Sequence, residues 1–379
     1  MTNFKQLQDY AVKKRSPSVV HKYQFDEIVT KSLLLHPGRL EKFKVRIPNF
    51  SSMSTVPDVN KWILRLSQKN IKILTLEYKE GKTVRHTLPS YFFSCLDLTY
   101  LMLRNFDFSP TPEFKGFLFL NKLLLYGIHL ANNCFEGILS SCPVLQRLLL
   151  HGCSGVSHFN ISGSKLKRLS IKADDKFESI SLEKAPNLTE VFVSLERVVI
   201  GLKGNPISDF VKLVNSLPKV KILRLNGNFL QLLAETPVPS MLPTSLKILQ
   251  LKGVNFTKFD QISAVVCLIR NSPNLEQLYI ESSTTKLKHK QVSGYLQLLD
   301  CTTFPFRQLH QVKLTNISGF IPEFELIRFL LFSSPSLVTM SIVEHPQLAA
   351  EKALEVARKL LQLQPPSPVS IDFSRDGKK

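Results

Sequence analysis

Apolar residues recur along this chain in one short spacing: an apolar residue, a second three positions later, and a third two positions after that. The series runs Leu98-x-x-Leu101-x-Leu103, Leu120/Leu123/Leu125, Leu145/Leu148/Leu150 and Leu166/Leu169/Ile171. It continues as Leu188/Val191/Val193, Val220/Leu223/Leu225, Leu246/Leu249/Leu251, Leu275/Leu278/Ile280, Leu309/Val312/Leu314 and Leu337/Met340/Ile342. Upstream, Ile71/Leu74/Leu76 fits well and Leu40/Phe43/Val45 loosely, which makes twelve matches with first positions 21 to 34 residues apart. In x-L-x-L-x the two apolar side chains point to one side of a short strand and the x residues to the other. A unit of this size cannot bury its own apolar face. Successive strands must therefore stack in parallel and share a continuous core.

The segments between the strands carry a second signal. Phe135–Pro143, Phe210–Pro218, Val265–Pro273 and Phe329–Pro335 are amphipathic and each ends in a proline just before the next strand. Proline cannot continue a helix and biases its predecessor toward extended backbone, so it switches helix to strand. The spacing predicts an α/β leucine-rich-repeat solenoid, a single right-handed horseshoe with the parallel sheet on its concave face and helices on its convex face. The ninth position of such a repeat, where Asn or Cys is expected, is filled only by Cys153 and Asn228, so irregular loops replace a continuous ladder. At the far end, Leu348 to Leu363 reads as an amphipathic helix, followed by Pro365-Pro366 and an extended piece, Val369–Phe373, as a C-terminal cap.

Charge changes this picture most. The 379 residues carry 49 Lys/Arg against 30 Asp/Glu, a net charge of +19, so acidic partners are favoured. Residues 1–90 hold 17 basic against 7 acidic side chains, so the excess is densest at the N-terminal end. The six cysteines form no C-x-x-C pair and sit mostly in apolar runs. No apolar leader opens the chain, and its most apolar stretch, Phe117–Leu130, is too short to span a bilayer. A soluble cytoplasmic and/or nuclear protein is expected, with no membrane partner.

No catalytic constellation emerges. His151, Cys153 and His158 lie close in sequence, but nothing nearby orients a third partner for nucleophilic chemistry. Cys134, Cys142, Cys153 and His151 lack the paired spacing of a structural zinc module. Gly201–Pro206 is too short and too poor in Ser/Thr for a phosphate loop, and Lys13-Lys14-Arg15 reads as a solvated basic terminus. No cofactor, no metal and no enzymatic activity are expected.

The concave face is more informative. The third, fifth and seventh positions of the twelve repeats give 36 side chains, of which 11 are basic and 3 acidic. That is about 31% basic against about 13% for the whole chain, so the face is enriched more than twofold. Cations and aromatic side chains interleaved in this way are typical of protein interfaces. The candidate partner-binding residues are Arg104, Lys122, Tyr126, Arg147, Arg168, Lys172, Phe192, Arg224 and Lys252. The expected partner is an acidic or phosphorylated protein. The alternative is anion binding (an inositol polyphosphate) or nucleic-acid binding through the same basic groove. Nucleic acid is disfavoured, because the repeats do not interleave basic and aromatic residues regularly enough for a base-stacking platform.

Several stretches resemble one family. These are Val29–Gly38, Trp62–Ser67, Leu88–Phe93, Pro112–Phe117 and Ser141–Leu148, with Phe306–Phe373 carrying Gly319, Glu325, Ile327 and the Ser334-Pro335 step. Over residues 23–373 the chain resembles a plant F-box/FBD/leucine-rich-repeat protein, with a solenoid at 23–305 and an FBD-like region at 306–379 that continues it. The resemblance implies substrate recognition for a cullin-RING ubiquitin ligase. Members of that family usually begin with an F-box of about 40–50 residues that docks a small linker subunit. Residues 1–22 match neither its Leu-Pro-Asp start nor its Arg-Trp-x-x-Leu-Trp end, so they are expected to be unstructured and linker docking is not expected.

Overall fold

A computed structural model of the protein describes residues 19–48, 58–79, 85–111, 114–130, 134–174, 176–197, 217–234, 243–283 and 305–375. The chain divides into two units, Met1–Leu166 and Lys167–Lys379. All twelve expected repeats contain a strand at the expected place.

Unit 1 opens with helix α1 (Val19–Leu35) and strand β1 (Lys42–Ile47), then helix α2 (Val59–Ser67) and β2 (Ile73–Tyr78). Strands β3 (His86–Thr87), β4 (Tyr100–Arg104), β5 (Phe106–Phe108), β6 (Lys122–Tyr126) and β7 (His129–Leu130) follow, with a short 3-10 turn at Ser90–Ser94. Helix α3 (Cys134–Ser140), β8 (Arg147–His151) and β9 (His158–Ser162) complete the unit. Its main sheet runs β1-β2-β4-β6-β8, all parallel, and a small parallel sheet runs β3-β5-β7. The inward leucines of β4, β6 and β8 are at most 1% exposed. Trp62 of α2 is buried, donates its indole N–H to Thr30 Oγ1 of α1 at 3.0 Å, and meets Phe25 edge-on. In β1 Phe43 and Val45 pair in register with Leu74 and Leu76, as the loose first match expects, but Val45 is half-exposed and the buried residues are Phe43 and Ile47.

Unit 2 begins with β10 (Arg168–Ala173), β11 (Ser179–Lys184), β12 (Glu190–Leu195), β13 (Ile222–Asn226) and helix α4 (Gly227–Ala234). It continues with β14 (Ile248–Val254), α5 (Phe259–Arg270), β15 (Gln277–Ser282), β16 (Gln311–Ile317), α6 (Ile321–Ser333), β17 (Thr339–Glu344), α7 (Ala350–Leu361) and β18 (Ser370–Ser374). The sheet runs β10-β12-β13-β14-β15-β16-β17-β18, parallel throughout. The extended piece near the C-terminus is thus a further strand in register with β17. The register slips between Leu251 and Val254 and again between Leu314 and Ile317. Gly253 and Asn316, both at positive φ, sit at those slips. There the ladder gives up one regular step to turn the chain out of the sheet.

The return segments depart from a uniform strand-loop-helix unit. Repeats starting at Leu120, Leu246 and Leu309 span 25 to 29 residues and return through α3, α5 and α6. Those starting at Leu145 and Leu166 span 21 and 22 residues and return through β9 and β11. A shorter repeat has no room for two helical turns and their loops. Its return alternates apolar and polar residues instead, burying Phe159 and Ile161 in β9 and Ile180 and Leu182 in β11. The expected helix at Phe210–Pro218 lies, up to Asn215 and Ser216, outside the described residues. So do the turn at Gly201–Pro206, the basic run Lys13–Arg15 and the first eighteen residues of the stretch 1–22, while α1 begins at Val19.

At the ninth repeat position both expected residues bind the preceding repeat. Cys153 Sγ donates to the Leu125 carbonyl at 3.6 Å, and Asn228 Nδ2 donates to Leu195 O and Glu196 O, both at 3.0 Å. Asn105 and Asn226 do the same work from other positions, donating to Tyr78 O and Leu195 O.

Candidate interaction surface

The side chains that alternate with the inward leucines line one face of each sheet, and parallel register sets them in rows. In unit 1 the first row reads Tyr100, Lys122, Arg147 across β4, β6 and β8; the second Met102, Leu124, Leu149; the third Arg104, Tyr126, His151. Lys122 and Arg147 are exposed, and among the described residues neither has a carboxylate within 4 Å. Leu124 and Leu149 point to this face yet are only 8% and 6% exposed. They form an apolar floor between two polar rows.

The third row is held by charge and ring contacts. Glu77 on β2 lies between Arg46 Nε at 3.5 Å and Arg104 Nε at 3.6 Å, one acid against two guanidinium groups. The Arg104 guanidinium stands 4.5 Å over the Tyr126 ring, and Tyr126 meets His151 edge-on at 5.5 Å. Arg104 Nε is shielded from solvent and has no hydrogen-bond partner among the described residues. In the first row, burial and then the neighbouring Tyr126 push the Tyr100 phenol above its usual range, with Arg147 pulling the other way, so it stays a neutral hydroxyl.

Unit 2 presents Arg168, Lys172, Phe192, Arg224 and Lys252 on its own outward face. Here local acids answer most of the cations. Glu190 bridges Arg168 at 2.9 Å and Arg224 at 3.9 Å, and Glu196 holds Lys172 at 3.1 Å. Arg224 Nε also donates to Gln250 Oε1 at 2.8 Å, and Tyr279 donates to Gln277 Oε1 at 3.0 Å. Lys252 is exposed, without an ion pair among the described residues. The nine candidates therefore fall into two groups, four in unit 1 and five in unit 2.

Sequence reasoning missed Tyr100, which shares its row with two candidate cations, and Glu196, which sits one residue beyond its strand. Tyr100 occupies the same third position as Lys122 and Arg147; a search of every type at that position finds it. Among the described residues no group of three or more His, Cys, Asp or Glu side chains is placed to hold a metal ion. No described helix is long and apolar enough to cross a membrane.

Comparison with known proteins gives this geometry a context. Residues 59–280 match the family model described as FBD-associated F-box protein At5g56370, LRR repeats. The F-box/FBD/LRR-repeat protein At1g13570 of Arabidopsis thaliana is 32% identical over 321 residues, 83% of this chain and 75% of that one. The F-box protein At3g62430 of the same plant is 25% identical over 383 residues, covering 89% of this chain and 83% of its own. The putative FBD-associated F-box protein At5g56560, also from Arabidopsis, is 28% identical over 254 residues, 62% of this chain and 57% of that one. The match to the repeat model runs over more than half the chain, through the same strands that set the rows in both units. This chain belongs to the plant F-box/FBD/leucine-rich-repeat family.

Proposed function

We propose that the chain is a non-enzymatic protein-interaction module, the substrate-recognition arm of an F-box-type ubiquitin ligase adaptor acting in the cytoplasm or nucleus. The observation that carries the reading is the outward face of the parallel sheets, where exposed cations and half-buried aromatic side chains stand over a buried leucine frame. Arg and Tyr in such a setting are the residue types that dominate binding energy in protein interfaces. The partner is a protein with an acidic or phosphorylated segment. Acids such as Glu77 and Glu190 interrupt the cations, which disfavours a nucleic-acid backbone, a ligand that needs an unbroken cationic path. Residues 1–379 alone are proposed not to grip the ligase linker subunit, because residues 1–22 carry no F-box pattern.

Affinity capture from plant extract tests the reading, with the full chain as bait beside variants bearing Lys122→Glu and Arg147→Glu, or Arg224→Ala and Lys252→Glu. A set of proteins captured by wild type and lost by at least one face variant supports it. Capture that ignores every face substitution, or stoichiometric recovery of the linker subunit, overturns the corresponding part.

A further inference from the structure

The two units differ in how far their outward cations are neutralised at home. Glu190 and Glu196 answer three of the unit 2 cations. In unit 1, Lys122 and Arg147 stand side by side in register with no acid to answer them among the described residues. Adjacent parallel strands lie about 4.8 Å apart, so the two charges can converge on one ligand group. The Tyr100 hydroxyl, in the same row on β4, has among the described residues only a 3.8 Å contact to the Met102 sulfur and can donate to that group as well.

Four residues further along the same strands lies the Arg104–Tyr126 stack, its guanidinium side chain 35% exposed. Four residues of strand span about 13 Å. An extended peptide laid along the strands has the same rise, so its alternate side chains meet alternate rows. Resting on the reading of the outward face as the partner surface, we propose that the β4–β6–β8 face binds one extended segment of a partner protein. The segment places an anionic side chain, carboxylate or phosphate, over Lys122 and Arg147. It places an aromatic side chain four residues away against Arg104 and Tyr126. The floor of Leu124 and Leu149 keeps the intervening position apolar or small. Charge complementarity fixes one end and ring stacking on a guanidinium the other. A nucleic acid fits worse, because Glu77 lies in the third row beside Arg104 and repels a phosphate backbone.

The test is fluorescence anisotropy of labelled alanine-based nonapeptides titrated with the full chain at low salt. The probes carry phosphoserine and phenylalanine four residues apart, in either order. Their twins replace phosphoserine by aspartate or serine, or phenylalanine by alanine, and a thymidine oligonucleotide matches the charge. The phosphoserine or the aspartate probe is expected to bind at least tenfold more tightly than its serine twin. A phosphoserine advantage over aspartate identifies phosphate as the ligand group, and equality identifies a carboxylate. Loss of phenylalanine is expected to weaken binding at least fivefold. Lys122→Ala with Arg147→Ala should erase the charge preference with an unchanged circular dichroism spectrum, Arg104→Ala should erase the aromatic preference, and Lys352→Ala on α7 should change neither. Equal binding of the serine twin, a charge preference that survives the double alanine variant, or equally tight oligonucleotide binding overturns the proposal. If the peptides fail while extract capture still depends on Arg224 and Lys252, the interaction-module reading stands and only this location and chemistry fall.

Discussion

Glu323 is a buried carboxylate with a full set of donors: Ser318, Gly319 and Phe320 give their backbone N–H groups to Oε2 at 2.9–3.0 Å, and Ser282 gives its hydroxyl to Oε1. It ties the start of α6 to β15. Burial is the largest influence and raises its pKa above the ordinary 4.5, while the four hydrogen bonds pull it partly back. A folded pKa above the unfolded one means that ionisation costs more in the fold than in the open chain. The stability present below pH 4.5 is therefore partly lost as the pH rises through the raised value. Glu323→Gln is expected to flatten that pH dependence in denaturant titrations, whereas Glu323→Ala strands three amides and costs about 3 kcal/mol. Two glycines make a second contrast. Gly116 has φ +97°, and a Cβ there would collide with the backbone of Ser141, so Gly116→Ala is expected to cost about 2–4 kcal/mol. Gly137 lies in α3 with open space around it, so Gly137→Ala is expected to add about 0.5–1 kcal/mol by the same assay. Neither behaviour is legible in the sequence, where Gly116 and Gly137 are both isolated glycines beside Phe or Ile. Their difference lies in what the chain brings against them.

Strands are the most legible elements, because an apolar pair at spacing two, preceded by a third apolar residue, leaves few other ways to bury itself. The helices α3, α5 and α6 are legible through their apolar stripes and closing prolines. The returns through β9 and β11 are less so: Phe159/Ile161 and Ile180/Leu182 give only two alternations each, too few to outweigh an expected helix. The packing of α1 on α2 is invisible in the sequence, since Thr30 and Trp62 are 32 residues apart and nothing marks them as partners. That contact carries a clear expectation. Trp62→Ala leaves a cavity between two helices and should cost about 3–5 kcal/mol. Thr30→Val removes only the hydrogen-bond acceptor and should cost about 1–2 kcal/mol. Because Trp62 is the single tryptophan, its emission reports the loosening of these helices while far-ultraviolet circular dichroism reports the backbone structure of the whole chain. In Trp62-containing variants such as Thr30→Val, the fluorescence transition should precede the dichroism transition during chemical unfolding.

At the scale of the molecule, the +19 charge sets how partners arrive. Its excess of cations acts over about a Debye length, roughly 8 Å at physiological salt, so steering belongs to low ionic strength. The double reversal Lys122→Glu, Arg147→Glu should leave stability within about 0.5 kcal/mol, because both side chains are exposed and form no ion pair among the described residues. It should slow association with an acidic partner at low salt and converge with wild type at high salt. Arg168→Glu is different. It sets a second acid beside Glu190 and should also cost up to about 1 kcal/mol of stability, a loss that equilibrium unfolding will register. The enrichment of cations on the outward positions was readable from the repeat register. Which of them remain unpaired was not, because Glu190 and Glu196 reach them from a neighbouring strand. The alternation along each strand has one more consequence. The inward leucines of β4, β6 and β8 leave no slack, while the exposed side chains between them, such as Lys122 and Arg147, touch little that the fold needs. Mutational drift is thereby sorted by parity: a change at an inward position is paid mainly in unfolding, a change at an exposed, unpaired outward one mainly in what is bound. Duplicated copies of such a gene can explore new targets one rung at a time without leaving the fold.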